Sequence, residues 1–149
     1  TLGTQVRRLL ELTDIAVLYD DAGLDYRPRF TPVMRPLLRQ GAMTVGELAQ
    51  VSGLTQPAIS QTVRQMAKAG LVEDVTDADR RVRRIALSAR GEALRQPLER
   101  QWAATTLATA QLNSELPMSL SDLLAEAIER LEVEPMACRI RRAANPPKG

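Results

Sequence analysis

From Gln5 to Tyr19 the apolar residues Val6, Leu9, Leu10, Leu12, Ile15, Ala16 and Val17 recur at helical spacing but cover more than one side. The pattern predicts a first helix within residues 4–22 that packs against two surfaces rather than one. Residues 22–30, AGLDYRPRF, carry Gly and Pro and read as a loop. Thr31 then Pro32 reads as a hydroxyl cap with Pro at the first helical position, and Gly41 as the stop, with Pro36 expected to kink the helix between them. Thr44 and Glu47 have capping-box spacing ahead of a short helix whose inner face is Leu48, Ala49 and Val51, ended by Ser52 and Gly53. A second start at Thr55 opens a helix with Gln56 and Pro57 in its first turn, running to about Ala69 and stopping at Gly70.

On that helix Ile59, Val63 and Met66 fall at i, i+4 and i+7 and face inward, leaving Pro57, Ser60, Gln61, Arg64 and Lys68 outside. Nearly every outward group donates hydrogen bonds and none is acidic. LVEDV and VRRIAL then have strand character and are joined by the turn formers TDADRR, which predicts a β-hairpin. Its tip and returning strand hold Arg80, Arg81, Arg83 and Arg84; in a regular strand the last two point to opposite faces, so only one of them serves a given surface. Residues 88–112 read as one long helix with Leu94, Leu98, Trp102 and Thr105 along a stripe and a kink near Leu94 caused by Pro97. NSELPMS is a linker, 119–142 a last amphipathic helix built on Leu120, Leu123, Leu124, Ala127, Ile128 and Leu131, and 143–149 a disordered tail.

The sum is a mainly α, single-domain chain with a small hairpin. Its 149 residues suffice for one core, which aliphatic residues must fill because aromatics are 3% of the chain. A net charge of +2 says little about partners; the basic surface comes from where the arginines sit. With one Cys and no His, an internal disulfide is excluded and the usual zinc ligands and commonest general base are missing, so no metal and no cofactor is expected. No P-loop and no isolated carboxylate pair is present, and an enzyme is not expected. No stretch reads as a membrane span or signal peptide, and a reducing, cytoplasmic setting is expected; the start at Thr1 without Met leaves room for missing N-terminal sequence.

Two helices joined by a Gly-containing turn and followed by a hairpin make a winged helix-turn-helix over 31–94. Its second helix suits a major groove: Thr55, Gln56, Pro57, Ser60, Gln61, Arg64 and Lys68 include side chains that fork onto guanine or adenine or hold phosphates. A wing bearing Arg80, Arg81, Arg83 and Arg84 suits a backbone or a narrow minor groove. The plainer account of each is a solvated helix face and surface ion pairs with neighbours such as Asp77 and Asp79.

Residues 44–94, TVGELAQVSGLTQPAISQTVRQMAKAGLVEDVTDADRRVRRIALSARGEAL, resemble the DNA-binding core of the MarR family of bacterial transcriptional regulators, including the wing signature Asp-Arg-Arg followed by a strand ending Leu-Ser and a Gly. The resemblance implies a homodimer in which the helices of 4–22 and 119–142 intertwine with the partner's, the helix of 88–112 links interface to DNA-binding lobe, Asp79 braces the wing and Arg81 enters the minor groove. Pro36 and Pro97 depart from elements that the family usually keeps continuous. Such a dimer reads an inverted repeat in double-stranded DNA, with half-sites about 34 Å apart. The family resemblance also implies a repressor that responds to a small aromatic effector, for which Tyr19, Tyr26, Phe30, Met34 and Trp102 are the candidate lining; packing of the core where helices meet accounts equally for each of them. Cys138, flanked by Arg139, Arg141 and Arg142, reads first as an inert packing residue. The alternative to a regulator is a winged-helix docking module whose arginines meet an acidic protein.

Overall fold

The computed structural model describes residues 1–76 and 82–145. They fall into two compact units, Thr1–Leu98 and Glu99 onward. Within the first lie α1 (Leu2–Leu12), α2 (Ala16–Asp21), a 3-10 turn at Pro28–Phe30, α3 (Thr31–Gln40), α4 (Val45–Ser52), α5 (Gln56–Lys68), β1 (Val72–Thr76), β2 (Arg83–Leu87) and α6 (Ala89–Ala93). α7 (Arg95–Ser114) begins in this unit, and α8 (Leu120–Val133) and α9 (Met136–Ala144) belong to the second.

The core of the first unit is assembled mainly from one face each of α3, α4 and α5 and from the hairpin. α3 contributes Val33, Met34, Leu37 and Leu38, α4 Leu48 and Ala49, α5 Ile59, Val63 and Met66, and the hairpin and its approach Leu71, Val72 and Ile85. α3 continues through Pro36. The missing N–H and ring clash cost about 3 kcal/mol. Four fully buried large side chains on the same short helix return roughly 1.5–3 kcal/mol each, so packing holds the helix through the proline. Thr31 is the first residue of α3 rather than its cap, which Phe30 provides from the 3-10 turn.

Caps and left-handed glycines set the helix-turn-helix. Thr44 and Glu47 form the full capping box of α4, Thr55 Oγ1 accepts from Ala58 N–H at the start of α5, and Gly53 and Gly70, at φ 68° and 72°, turn the chain after each helix. Val51, assigned to the inner face of α4, is exposed instead, because α4 packs on Leu48 and Ala49 alone. β1 and β2 pair antiparallel in the register Val72↔Leu87 to Thr76↔Arg83. Met43, just before α4, adds a bridge to Ile85 with both backbone hydrogen bonds made, at 3.0 and 2.7 Å.

Three long elements expected from the sequence are divided. The first helix breaks at Thr13–Ile15, where the Thr13 hydroxyl turns back onto the Leu9 carbonyl and Asp14 accepts from Ala16 N–H. The helix of 88–112 is two, α6 and α7, parted at Leu94, since Pro97 has no N–H to give the Ala93 carbonyl. The helix of 119–142 is also two, because Pro135 disfavours helical backbone at Glu134, which is extended at ψ 98°. α9 continues through Ala144, two residues into the stretch expected to be disordered; 146–149 lie outside the described residues.

Buried side chains stop at Leu98. Among the described residues of the second unit none is buried, and α1 has none either. Leu10, Leu12, Leu107, Ile128 and Ile140 are each more than half exposed.

Candidate nucleic-acid interface

α5 is held by its inner stripe. Ile59, Val63 and Met66 are all but inaccessible, which fixes the rotation of the helix and turns the opposite face to solvent. On that face Gln56, Pro57, Gln61, Arg64 and Lys68 are exposed and Ser60 is half-buried, with exposed Thr55 at the helix start. Over four turns it presents amides, hydroxyls, a guanidinium and an ammonium with no carboxylate. Arg64 Nε donates to the Ser60 carbonyl at 3.3 Å, and among the described residues neither Arg64 nor Lys68 forms an ion pair. The helix therefore offers a polar, cationic surface whose donors have no acidic side chain to satisfy them.

The four wing arginines do not share one environment. Arg80 and Arg81, with Asp79, expected to brace the wing, lie outside the described residues. Arg83 is exposed and forks onto Asp74, its Nε and Nη2 donating to the two carboxylate oxygens at 2.8 and 2.9 Å. The pair is a diagonal one, since Asp74 faces Ile85 and Arg83 faces Thr76 in the register. The Asp74 carboxylate holds the Arg83 guanidinium above its ordinary value. Arg84 points the other way, as alternation requires. Its Nη1 donates to the Ala42 carbonyl at 3.2 Å and to Glu47 Oε2 at 3.3 Å, and its side chain is 34% exposed. Glu47 is held below the usual carboxylate range, first by the Thr44 N–H it accepts and then by the Arg84 charge.

Sequence reasoning had not identified these partners of Arg83 and Arg84, nor two ties at the root of the wing. Ser88 Oγ donates to the Gly70 carbonyl at 2.6 Å and accepts from Gly91 N–H at 3.1 Å. Arg95 Nη1 donates to the Leu38 carbonyl at 2.9 Å. The Asp74–Arg83 pair was readable once the hairpin register is fixed, and the Ser88 cap on Gly91 is local; the contacts of Arg84, of Ser88 with Gly70 and of Arg95 with Leu38 join residues distant in sequence and leave no local signal.

Of the candidate effector residues, Tyr19, Tyr26, Phe30 and Met34 are buried in the first unit. The rings of Tyr19 and Tyr26 lie 5.0 Å apart and tilted, Tyr26 meets Phe30 edge-on at 5.9 Å, and the Tyr26 hydroxyl hydrogen-bonds Thr31 at 2.9 Å. Burial pushes the Tyr26 phenol well above its ordinary value. Trp102 lies on α7 in the second unit, half-buried. Cys138 is exposed, not packed as expected, because α9 has no buried face in the single chain. Among the described residues no group of His, Cys, Asp and Glu is arranged to hold a metal, and no helix is long and apolar enough to cross a membrane.

No curated protein matches the chain. The sequence profile of the MarR family matches residues 33–82, which run from α3 through α4 and α5 into the hairpin. Solved structures resemble it along most of its length. The MarR family regulator NMB1585 of Neisseria meningitidis is 21% identical, with 94% of this chain and 95% of that one covered and a TM-score of 0.56. The PcaV transcriptional regulator of Streptomyces coelicolor, solved with its natural ligand, is 17% identical over 89% and 92% of the two chains, with a TM-score of 0.62. The MarR family regulator SPO1453 of Silicibacter pomeroyi DSS-3 is 22% identical over 87% and 90%, with a TM-score of 0.57. The match to the MarR family thus covers the winged core, residues 33–82, and along most of its length the chain shares the fold of these regulators.

Proposed function

We propose that the chain is a sequence-specific, double-stranded-DNA-binding repressor that reads an inverted repeat as a homodimer and is released by a small ligand. The observation that carries the DNA reading is the outward face of α5, donor-rich and free of carboxylate from Thr55 to Lys68, presented by a helix whose inner stripe is locked in the core. In this reading Gln56, Gln61 and Arg64 reach base edges, Thr55, Ser60 and Lys68 hold phosphates, and Pro57 shapes the first turn. Arg80 and Arg81 extend the contact into the flanking minor groove, with Asp79 as brace.

Dimerisation is supported by the apolar side chains that α1, α8 and α9 leave in solvent. The repressor reading is supported by a similar fold in the adhesin competence repressor of Streptococcus pyogenes, 16% identical with a TM-score of 0.58. The ligand response is supported by PcaV, whose structure holds its natural ligand. An effector acts here by preferring a spacing of the two α5 helices that the operator does not match, a coupling of about 1–3 kcal/mol. The buried Tyr19–Tyr26–Phe30 cluster, with Met34, is in this reading the packing that a ligand perturbs, and Trp102 is the remaining aromatic candidate.

Selection of bound sequences from a randomised duplex pool at fixed salt tests the reading. Wild type should enrich an inverted repeat. Arg64→Ala should relax preference at one position of each half-site at a cost of about 1–3 kcal/mol, and Arg81→Ala should weaken all sequences alike and lower the salt slope by about 1. Binding without enrichment, lost entirely as salt rises, would leave a basic surface of the docking-module kind.

A further inference from the structure

The hairpin meets the helix-turn-helix through a short chain of polar contacts that the DNA reading does not use. Arg84 leaves β2 on the face opposite Arg83 and places Nη1 between the Ala42 carbonyl and Glu47 Oε2. Glu47 is the third residue of α4, and the same Oε2 accepts the Thr44 N–H at 2.8 Å in the capping box. One residue along β2, Ile85 exchanges both backbone hydrogen bonds with Met43. Charge pair, carbonyl contact and β-bridge thus fall within residues 42–47 on one side and 84–85 on the other.

We infer that Arg84 is a positioning residue rather than a DNA contact: it fixes the wing to the start of α4, so that wing and α5 meet the duplex as one preset unit. The inference rests on the DNA-binding reading above for its consequence, though not for its geometry. Nη1 has both of its N–H groups directed at a carboxylate and a carbonyl of residues 42–47, which turns the guanidinium toward the helix-turn-helix. These contacts hold it against the helix-turn-helix. The energetic argument is preorganisation: a wing already oriented loses less conformational freedom on binding than one that samples many angles.

Glu47→Gln separates the two roles, because Gln keeps the capping box while removing the charge that Arg84 faces. A duplex carrying the selected repeat is titrated at several salt concentrations with wild type, Arg84→Ala, Glu47→Gln and the double variant, and each variant's thermal unfolding is recorded. Arg84 as a strut predicts that both single variants weaken binding by roughly threefold to tenfold, and that the double variant is no worse than the weaker single. The slope of log K against log salt should stay at the wild-type value. A phosphate contact predicts the reverse: Arg84→Ala lowers the slope by about 1, and Glu47→Gln, which removes a negative charge near DNA, leaves affinity unchanged or raises it. That result overturns the inference.

Hydrogen exchange without DNA keeps the two readings apart. The Met43 and Ile85 amides should exchange faster in Glu47→Gln than in wild type, while the amides of Ile59 and Val63 keep their protection. Faster exchange in a protein whose wild type binds no duplex sinks the DNA reading and leaves the strut. Unchanged exchange sinks the strut alone.

Discussion

Tyr26 shows how one side chain links burial to stability. Its ring is 1% exposed between Tyr19 and Phe30 and its hydroxyl meets Thr31. Burial raises its ionisation well above the ordinary value of 10.0, outweighing the opposing pull of the Thr31 hydrogen bond and the Arg35 charge. Unfolding returns the phenol to water, where it ionises above about pH 10. The folded chain therefore holds a proton that the unfolded chain releases, and the stability gained by keeping Tyr26 neutral is complete below that pH and declines as pH rises beyond it. Urea unfolding between about pH 9 and 11 should show a steeper alkaline loss for wild type than for Tyr26→Phe. Equal slopes for the two proteins would show that Tyr26 ionises as freely in the fold as out of it. That Tyr26 belongs to an aromatic group was legible in the sequence; that the group is core of the first unit was not, because aromatics suit an apolar pocket and an apolar core equally well.

Among the elements, those written in local chemistry were legible and those set by distant partners were not. α4 and α5 begin at Thr44 and Thr55 and end before Gly53 and Gly70 as their caps dictate, and the Ile59–Val63–Met66 stripe fixes which face of α5 is free. The candidate interface on α5 was therefore readable. The continuous helices expected over 4–22 and 119–142 were overread, since apolar spacing persists across the breaks at Thr13–Ile15 and Glu134–Pro135. Pro36 was expected to kink or distort α3, and the helix assignment continues through it, with Val33, Met34, Leu37 and Leu38 buried beside it. The partners of Arg84 lie 37 and 42 residues away, beyond any local pattern. α6 carries a contact of the same nonlocal kind. Gly91 packs so closely on the chain leading into β1 that an added Cβ would stand 2.1 Å from the Leu71 carbonyl oxygen. Backbone has to move to admit it, so Gly91→Ala should destabilise the chain by about 1–3 kcal/mol or more. Thermal unfolding reads the loss directly, and an unchanged midpoint would mean that α6 is free to shift away from Leu71.

In the whole molecule, apolar residues are left exposed along α1, α8 and α9. The first unit has a core, whereas the described part of Glu99–Asn145 buries no residue, and α1, α8 and α9 expose leucines and isoleucines that water opposes. In the proposed homodimer a second copy would supply the missing cover, and a twofold axis would then set two α5 helices at a fixed separation. Specific recognition in this account depends on that separation as much as on Arg64 or Arg81. The dimeric reading predicts how affinity for the selected repeat changes as the spacer between half-sites is lengthened by about half a helical turn and then by a full turn. Two linked copies should lose about tenfold or more in affinity at the half-turn insertion, because the second half-site rotates to the far side of the duplex. An isolated half-site should bind as weakly as that misphased duplex. If affinity is the same at every spacing, and a single half-site binds as tightly as the repeat, the chains read DNA one at a time and the dimeric account is wrong.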